Sequence, residues 1–188
     1  RISCLMCWLS LSCEPESHVH TTDTCCMSFQ LALPDYTDPD FYSQLTAQAG
    51  ALLTGETDQV ANAANISSLL FNALPDINWS GFYFLRESQL VLGPFQGLPA
   101  CVRIKMGQGV CGTAAQTGQT QLVPDVHAFP GHIACDAASR SEIVVPLFRD
   151  GKVMGVLDVD SPSAGRFTER DRAGLESLAR LFEDSLAG

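Results

Sequence analysis

Positive charge is scarce in this chain: eleven Lys and Arg stand against twenty-one Asp and Glu, a formal net charge of −10. Nucleic-acid binding needs clustered basic side chains to neutralise phosphates, and here they are few and scattered, which excludes that class. The same shortage argues against an anionic membrane surface. Long apolar runs are missing too, since none approaches the roughly 20 residues needed to span a bilayer. Cysteine is absent between Cys26 and Cys101 and again after Cys135. Internal repeats and low-complexity tracts are lacking, which excludes solenoid and array architectures.

What remains is the profile of a folded soluble protein. Hydrophobic residues make up 46% of the 188 positions and charged residues 17%, with mean hydropathy +0.10. That length supports one domain with a substantial core. Five of the eight cysteines (Cys4, Cys7, Cys13, Cys25 and Cys26) fall before Met27. Cys4 and Cys7 form a CxxC, but no second pair or nearby His pair completes a zinc site. Ile2 to Cys13 is apolar but short, and it lacks both a basic lead-in beyond Arg1 and a small-residue cleavage site, so it is weak as a signal peptide. The chain opens on Arg1, and Met27 reads as a start. Residues 1–30 are expected to be a disordered or upstream, targeting extension, and residues 31–188 the folded domain. Three cysteines in that domain, an odd number, fit a reducing compartment such as the cytoplasm better than a secreted disulfide framework.

From Asp38 the pattern becomes regular. Asp38-Pro39 reads as an N-cap followed by Pro at the first helical position, and Phe41, Leu45, Ala49 and Leu52 recur at helical spacing. A second helix is expected over about 57–74, with Val60, Ala64, Leu69, Leu70 and Ala73 on its apolar stripe and Pro75 ending it. The period then changes to two. Segments 77–86, 90–95, 100–105, 142–148 and 152–160 are rich in Val, Ile, Phe and Tyr and bounded by turn residues, and Asp150-Gly151 marks a tight hairpin. A long insertion, 106–140, contains a short helix over about 110–116; loops of this length are often functional. The last helix should be capped by Thr168, with Asp171 in its first turn and Leu175, Leu178, Ala179 and Phe182 facing inward. The expected fold is α+β: a mainly antiparallel sheet with helices on one face and the insertion over the other.

Candidate chemistry lies around that insertion. Cys135 follows His132 in a loop, where a thiol is more accessible than in an apolar stripe. Cys111 would open the short helix, where free N–H groups favour a thiolate. Cys101 would open a strand, and it can approach Cys111 only if the chain reverses through Gly107 to Gly109. Structural thiols are the plain alternative. Zinc is another, with His127 or His132 nearby, but spacings of ten and twenty-four residues match no common ribbon or finger.

Asp158 and Asp160 alternate along a strand, so both face one side while Leu157 and Val159 face the other. Two acids there would recognise an amino group, or else cap the turn before Ser161-Pro162. Trp79 and Tyr83 share a face of the first strand with Gly81 between them. That arrangement suits either a gap for a small apolar group or ordinary core packing. Glu142 begins the hairpin strand, where it could equally be a solvent-exposed charge.

Several segments together resemble one family: NWSGFY at 78–83, GPFQG at 93–97, ACVRI at 100–104, GVCGTA at 109–114, PDVHAFPGHIACDA at 124–137, SRSEIVVP at 139–146 and GVLDVDSP at 155–162. They are similar to the free methionine-(R)-sulfoxide reductases, which are GAF-domain enzymes. The likeness runs from about Tyr36 to Phe182, and residues 1–30 fall outside it. The resemblance implies a GAF-like α+β fold, with the insertion covering the pocket. It implies Cys135 as catalytic nucleophile, Cys101 as main resolving cysteine and Cys111 as a secondary disulfide partner. It also implies a substrate pocket of Trp79, Tyr83, Glu142, Asp158 and Asp160; among these acids, Glu142 is the best candidate for the proton donor. Free methionine-(R)-sulfoxide would be the substrate and thioredoxin the reductant, with no cofactor and no metal, and a homodimer is compatible with it. The competing readings are a non-catalytic GAF sensor of a small molecule and a redox-sensing regulator.

Overall fold

The computed structural model describes residues 32–129 and 138–187. Two helices come first, α1 (Phe41–Leu53) and α2 (Gln59–Ala73), then strands β1 (Trp79–Arg86), β2 (Gln89–Gly97) and β3 (Arg103–Lys105). Helix α3 (Gly109–Thr117) and strand β4 (Gln121–Val123) belong to the insertion. They are followed by β5 (Ser141–Arg149), β6 (Lys152–Ser161) and α4 (Glu169–Ser185). The six strands form one sheet in the order β3-β2-β1-β6-β5-β4, and every neighbouring pair is antiparallel. The α+β arrangement expected from the sequence is what the chain adopts. None of the described helices is long and apolar enough to cross a membrane.

Strand alternation splits the core in two. Phe82, Phe84, Ile143, Val145, Leu147, Leu157 and Val159 point to one face and pack with α1, α2 and α4. Trp79, Tyr83, Leu90, Ile104, Val144 and Val156 point to the other, where Val110, Cys111, Ala114 and Ala115 of α3 cover them. Asp150 (φ 52°) and Gly151 (φ 72°) both adopt the left-handed conformation that a tight β5–β6 hairpin needs.

Two boundaries and one helix face differ instructively from the sequence reading. Helix α1 begins at Phe41 because Asp38 forms a turn of its own: its carboxylate accepts from the Asp40 N–H at 2.8 Å and its carbonyl from the Phe41 N–H at 3.0 Å. Pro39 therefore precedes the helix. In α2, Val60 and Ala64 are exposed, and the buried stripe is Ala63, Ile66, Leu69, Leu70 and Ala73. Buried Asn62 and Ser67 interrupt that stripe and disguise its phase; the Asn62 side-chain N–H group donates to the Glu56 carbonyl and to Ser185 Oγ, both at 3.0 Å. The third expected strand shortens to Arg103–Lys105, so Cys101 lies in the connection before it rather than opening it.

Asp171 does more than cap α4. Its carboxylate takes part in a capping box with Thr168. It also accepts hydrogen bonds from the hydroxyls of Tyr36 (2.7 Å) and Tyr42 (2.8 Å) and pairs with Arg166 at 3.3 Å, all with no exposure to solvent. Burial pushes this carboxyl up, but the hydrogen bonds from Tyr36, Thr168 and Tyr42 outweigh it and hold it below the ordinary value. A depressed carboxylate contributes stability above its unfolded pKa and loses it as pH falls through the folded one. Asp171→Ala removes a shared acceptor from two hydroxyls, the Arg166 guanidinium and a helix cap together, and should cost about 3–5 kcal/mol. Urea unfolding at neutral pH measures this, and an unshifted midpoint would contradict the network's role.

Candidate active site

The sheet face beneath α3 carries the acids in a fixed register. On β6, Asp160 lies between Glu142 of β5 and Trp79 of β1, and Asp158 lies between Val144 and Gly81. Period-two alternation therefore puts Glu142, Asp158, Asp160, Trp79 and Tyr83 on one face, as the sequence pattern requires. Helix α3 lies close over them because Gly112 has no side chain: a Cβ there would stand 2.4 Å from the Lys105 carbonyl. That approach drives Cys111, the third residue of α3, against the sheet.

The result is a buried cluster of one thiol and two carboxyls. Cys111 Sγ lies 3.2 Å from Asp158 Oδ2 and 3.8 Å from Glu142 Oε1. Cys111 is 4% exposed, Glu142 7% and Asp158 5%. Glu142 is thus not a solvent-exposed charge, and Asp158 is not a turn cap. Asp158 Oδ1 is buried with no hydrogen-bond partner among the described residues. Asp160 is half-buried beside them.

Burial in an acidic setting reverses the expectation for Cys111. A helix N-terminus lowers a thiol's pKa, yet here desolvation comes first and the negative potential of Asp158 and Glu142 second, and together they raise it well above the ordinary value. The partial positive charge of one helix end cannot offset two carboxyl groups within 4 Å in a dry site. Glu142 is pushed well above the ordinary carboxyl range by burial and then by Asp158 and Asp160. Burial likewise pushes Asp158 up to about 7, opposed by hydrogen bonds with Cys111 and Glu142. Both shifts favour the protonated form, which is the condition for a carboxylic acid to act as a donor.

The aromatic side of the site also corrects an expectation. Gly81 does not leave a gap. A Cβ at that position would meet Phe95 Cβ at 2.4 Å and the Trp79 indole at 2.6 Å, so glycine is what allows these rings to close over the strand. Trp79 stacks on Phe95 (5.3 Å between centroids) and on Tyr83 (5.9 Å). Phe95 is the member that sequence reasoning missed, although its place opposite Gly81 in the β1–β2 register carries the signal. Both larger aromatics reach the connection that bears Cys101: Trp79 Nε1–H donates to the Leu98 carbonyl and the Tyr83 hydroxyl to the Cys101 carbonyl, each at 3.1 Å. Cys101 is half-buried, and both it and Cys111 are free thiols of the same apolar layer.

Cys135 and His132 lie outside the described residues. The chain on either side of that segment is tied down, with the Val126 N–H donating to the Arg140 carbonyl at 2.9 Å and the Arg140 N–H to the Ser161 carbonyl at 2.7 Å. His127 is exposed on a short 3-10 turn (Val126–Ala128) and does not join the thiol–carboxyl cluster.

Residues 43–187 match the GAF domain family. The chain is 58% identical over 148 residues to Protein YtsP of Bacillus subtilis, covering 78% of this chain and 91% of that protein. It is 55% identical over 148 residues to the free methionine-R-sulfoxide reductase of Escherichia coli, covering 79% and 90%. Among solved structures, free methionine-R-sulfoxide reductase from Neisseria meningitidis in complex with its substrate superposes with a TM-score of 0.78 at 44% identity, covering 83% of this chain and 95% of that one.

Proposed function

The chain belongs to the free methionine-R-sulfoxide reductases, a GAF-domain family of oxidoreductases, and from that premise we propose that it reduces free methionine-(R)-sulfoxide to methionine by thiol chemistry. The observation that carries this reading is the buried Asp158 carboxyl, whose Oδ1 is left without a partner inside an acidic cluster. Such a group calls for a cation, and the ammonium of a free amino acid supplies one. A peptide-bound methionine sulfoxide has no such ammonium, so the same feature supports selectivity for the free amino acid.

The residues then divide the work. Asp158 and Asp160 grip the ammonium, while Trp79 and Tyr83 supply an apolar wall for the S-methyl group. The Cys135 thiolate attacks the sulfoxide sulfur, and Glu142, kept protonated by its surroundings, gives its proton to the sulfoxide oxygen. The sulfur–sulfur bond so formed breaks as the protonated oxygen passes from the substrate sulfur to Cys135, which becomes a sulfenic acid while methionine leaves as the two-electron-reduced thioether. The Cys101 thiol condenses with the sulfenic acid, forming the Cys101–Cys135 disulfide and releasing water. A thioredoxin-type dithiol reduces that disulfide and is itself oxidised. Cys111, held as a thiol by its acidic neighbours, enters only in later disulfide exchange.

Reduced protein incubated with free methionine-(R)-sulfoxide, thioredoxin, thioredoxin reductase and NADPH should consume NADPH in step with methionine formed. N-acetylated methionine amide sulfoxide, which lacks the ammonium, should be a poor substrate. NADPH consumption no greater than the blank would leave the non-catalytic sensor reading standing instead.

A further inference from the structure

The thiol–carboxyl cluster has a second property that its reductase reading does not use. Cys111, Glu142 and Asp158 each offer a ligand atom, and the three atoms lie within 4.8 Å of one another. A zinc ion with a Zn–S bond near 2.3 Å and Zn–O bonds near 2.1 Å holds sulfur and oxygen about 3.6 Å apart at the tetrahedral angle. The observed separations, 3.2 and 3.8 Å, bracket that value. Asp158 Oδ1 provides a further buried oxygen that no protein group satisfies. The donor set is chemically selective: one thiolate with two carboxylates suits zinc, whereas magnesium and calcium require oxygen ligands throughout.

We propose that the reduced, substrate-free protein binds one zinc ion through Cys111 Sγ, Glu142 and Asp158, and that zinc and free methionine sulfoxide exclude each other from this site. Three protein ligands leave the fourth tetrahedral position to water. Binding requires the Cys111 proton, and any proton carried by Glu142 or Asp158, to be released to solvent, because the metal ligands are the thiolate and the carboxylates. The exclusion half rests on the reading that the substrate ammonium sits on Asp158; the metal site itself does not. Zinc would then hold the enzyme in an unreactive form until substrate or a chelator removes it.

Zinc stoichiometry and affinity of the full reduced chain, measured by competition with a chromogenic chelator, test this directly. The amino-terminal cysteines can bind zinc as well, so the informative quantity is a difference between variants. Wild-type protein should bind one equivalent more than Cys111→Ser and than Asp158→Asn, while His127→Ala should match wild type. In the Cys135→Ser background, where substrate is not turned over, cobalt(II) should give a thiolate charge-transfer band whose excess over the Cys111→Ser, Cys135→Ser double variant disappears on adding methionine sulfoxide. Substrate should also raise the apparent zinc dissociation constant at least about tenfold. Equal stoichiometry in wild type, Cys111→Ser and Asp158→Asn would overturn the site. If Cys111→Ser fails to fold, Glu142→Gln takes its place beside Asp158→Asn. A zinc equivalent that depends on Cys111 but resists substrate would keep the site and overturn the exclusion. Zinc binding by a protein that, once stripped of zinc by a chelator, still gives no turnover in the NADPH assay would uphold the site and refute the reductase reading.

Discussion

Replacing Cys135 with Ser is expected to bring turnover of free methionine-(R)-sulfoxide down to the reagent blank, a loss of at least ~10³-fold. The other two thiols of the domain are poorly suited to take its place. Cys111 is buried against Asp158 and Glu142, which keep its proton on, and a thiol is a far weaker nucleophile than a thiolate. Cys101 is half-buried in a connection whose carbonyls are clamped by Tyr83 and Trp79, and its sulfur is not part of the cluster that Cys111 forms with the acidic pair among the described residues. Cys101→Ser should behave quite differently. If Cys101 is the resolving partner proposed above, its variant completes the first chemical step, so it should release about one methionine per chain in the absence of reductant and then stop. A sulfenic-acid trapping reagent should label that stalled protein and leave Cys135→Ser unlabelled. Full activity in Cys135→Ser would move the nucleophile to another residue.

The parts of this molecule legible in its sequence are those set by neighbours within a few positions. Thr168 and Asp171 form a capping box across three residues, and Asp150-Gly151 turns a hairpin by itself, so both could be read directly. Asp158 and Asp160 share a face because strand periodicity is two, whatever the strand's partners are. Strand β4 escaped notice because its three residues exist only by pairing with β5, about twenty positions further along. The pKa of Cys111 was misjudged for the same reason. Its helix N-terminus is visible locally, whereas Glu142 and Asp158, the groups that outweigh it, lie 31 and 47 positions away. Gly81 was read as a space because the strand alone does not reveal that Phe95 crosses opposite it. In each case the missing information was the register of the sheet, which depends on pairing across the chain.

Asp158→Asn should make the protein more stable and much less active, and the two effects have one cause. Burial raises Asp158 from an ordinary 3.8 up to about 7, so the folded state disfavours its charge. A carboxyl raised in this way imposes no penalty below its unfolded pKa. The penalty then grows as pH climbs toward the folded pKa and stays constant above it. Wild-type stability should therefore fall between about pH 4 and pH 7. Asn carries no proton to lose, so the variant should show a shallower slope, with Glu142 and Glu183, both raised by burial, contributing to the remainder. Above pH 7 it should exceed wild type by at most about 4 kcal/mol. Function moves the other way, because the penalised carboxylate is the group proposed to hold the substrate ammonium. Losing one member of a buried charge pair should lower kcat/KM about 10²-fold. The loss should fall mainly on KM, since the ammonium contact exists in the ground state as well as the transition state. Thermal unfolding from pH 4 to 8 and steady-state kinetics at pH 7.5, on the same two proteins, measure both sides. A flat wild-type profile would refute the burial argument, and an unchanged KM would remove Asp158 from substrate recognition.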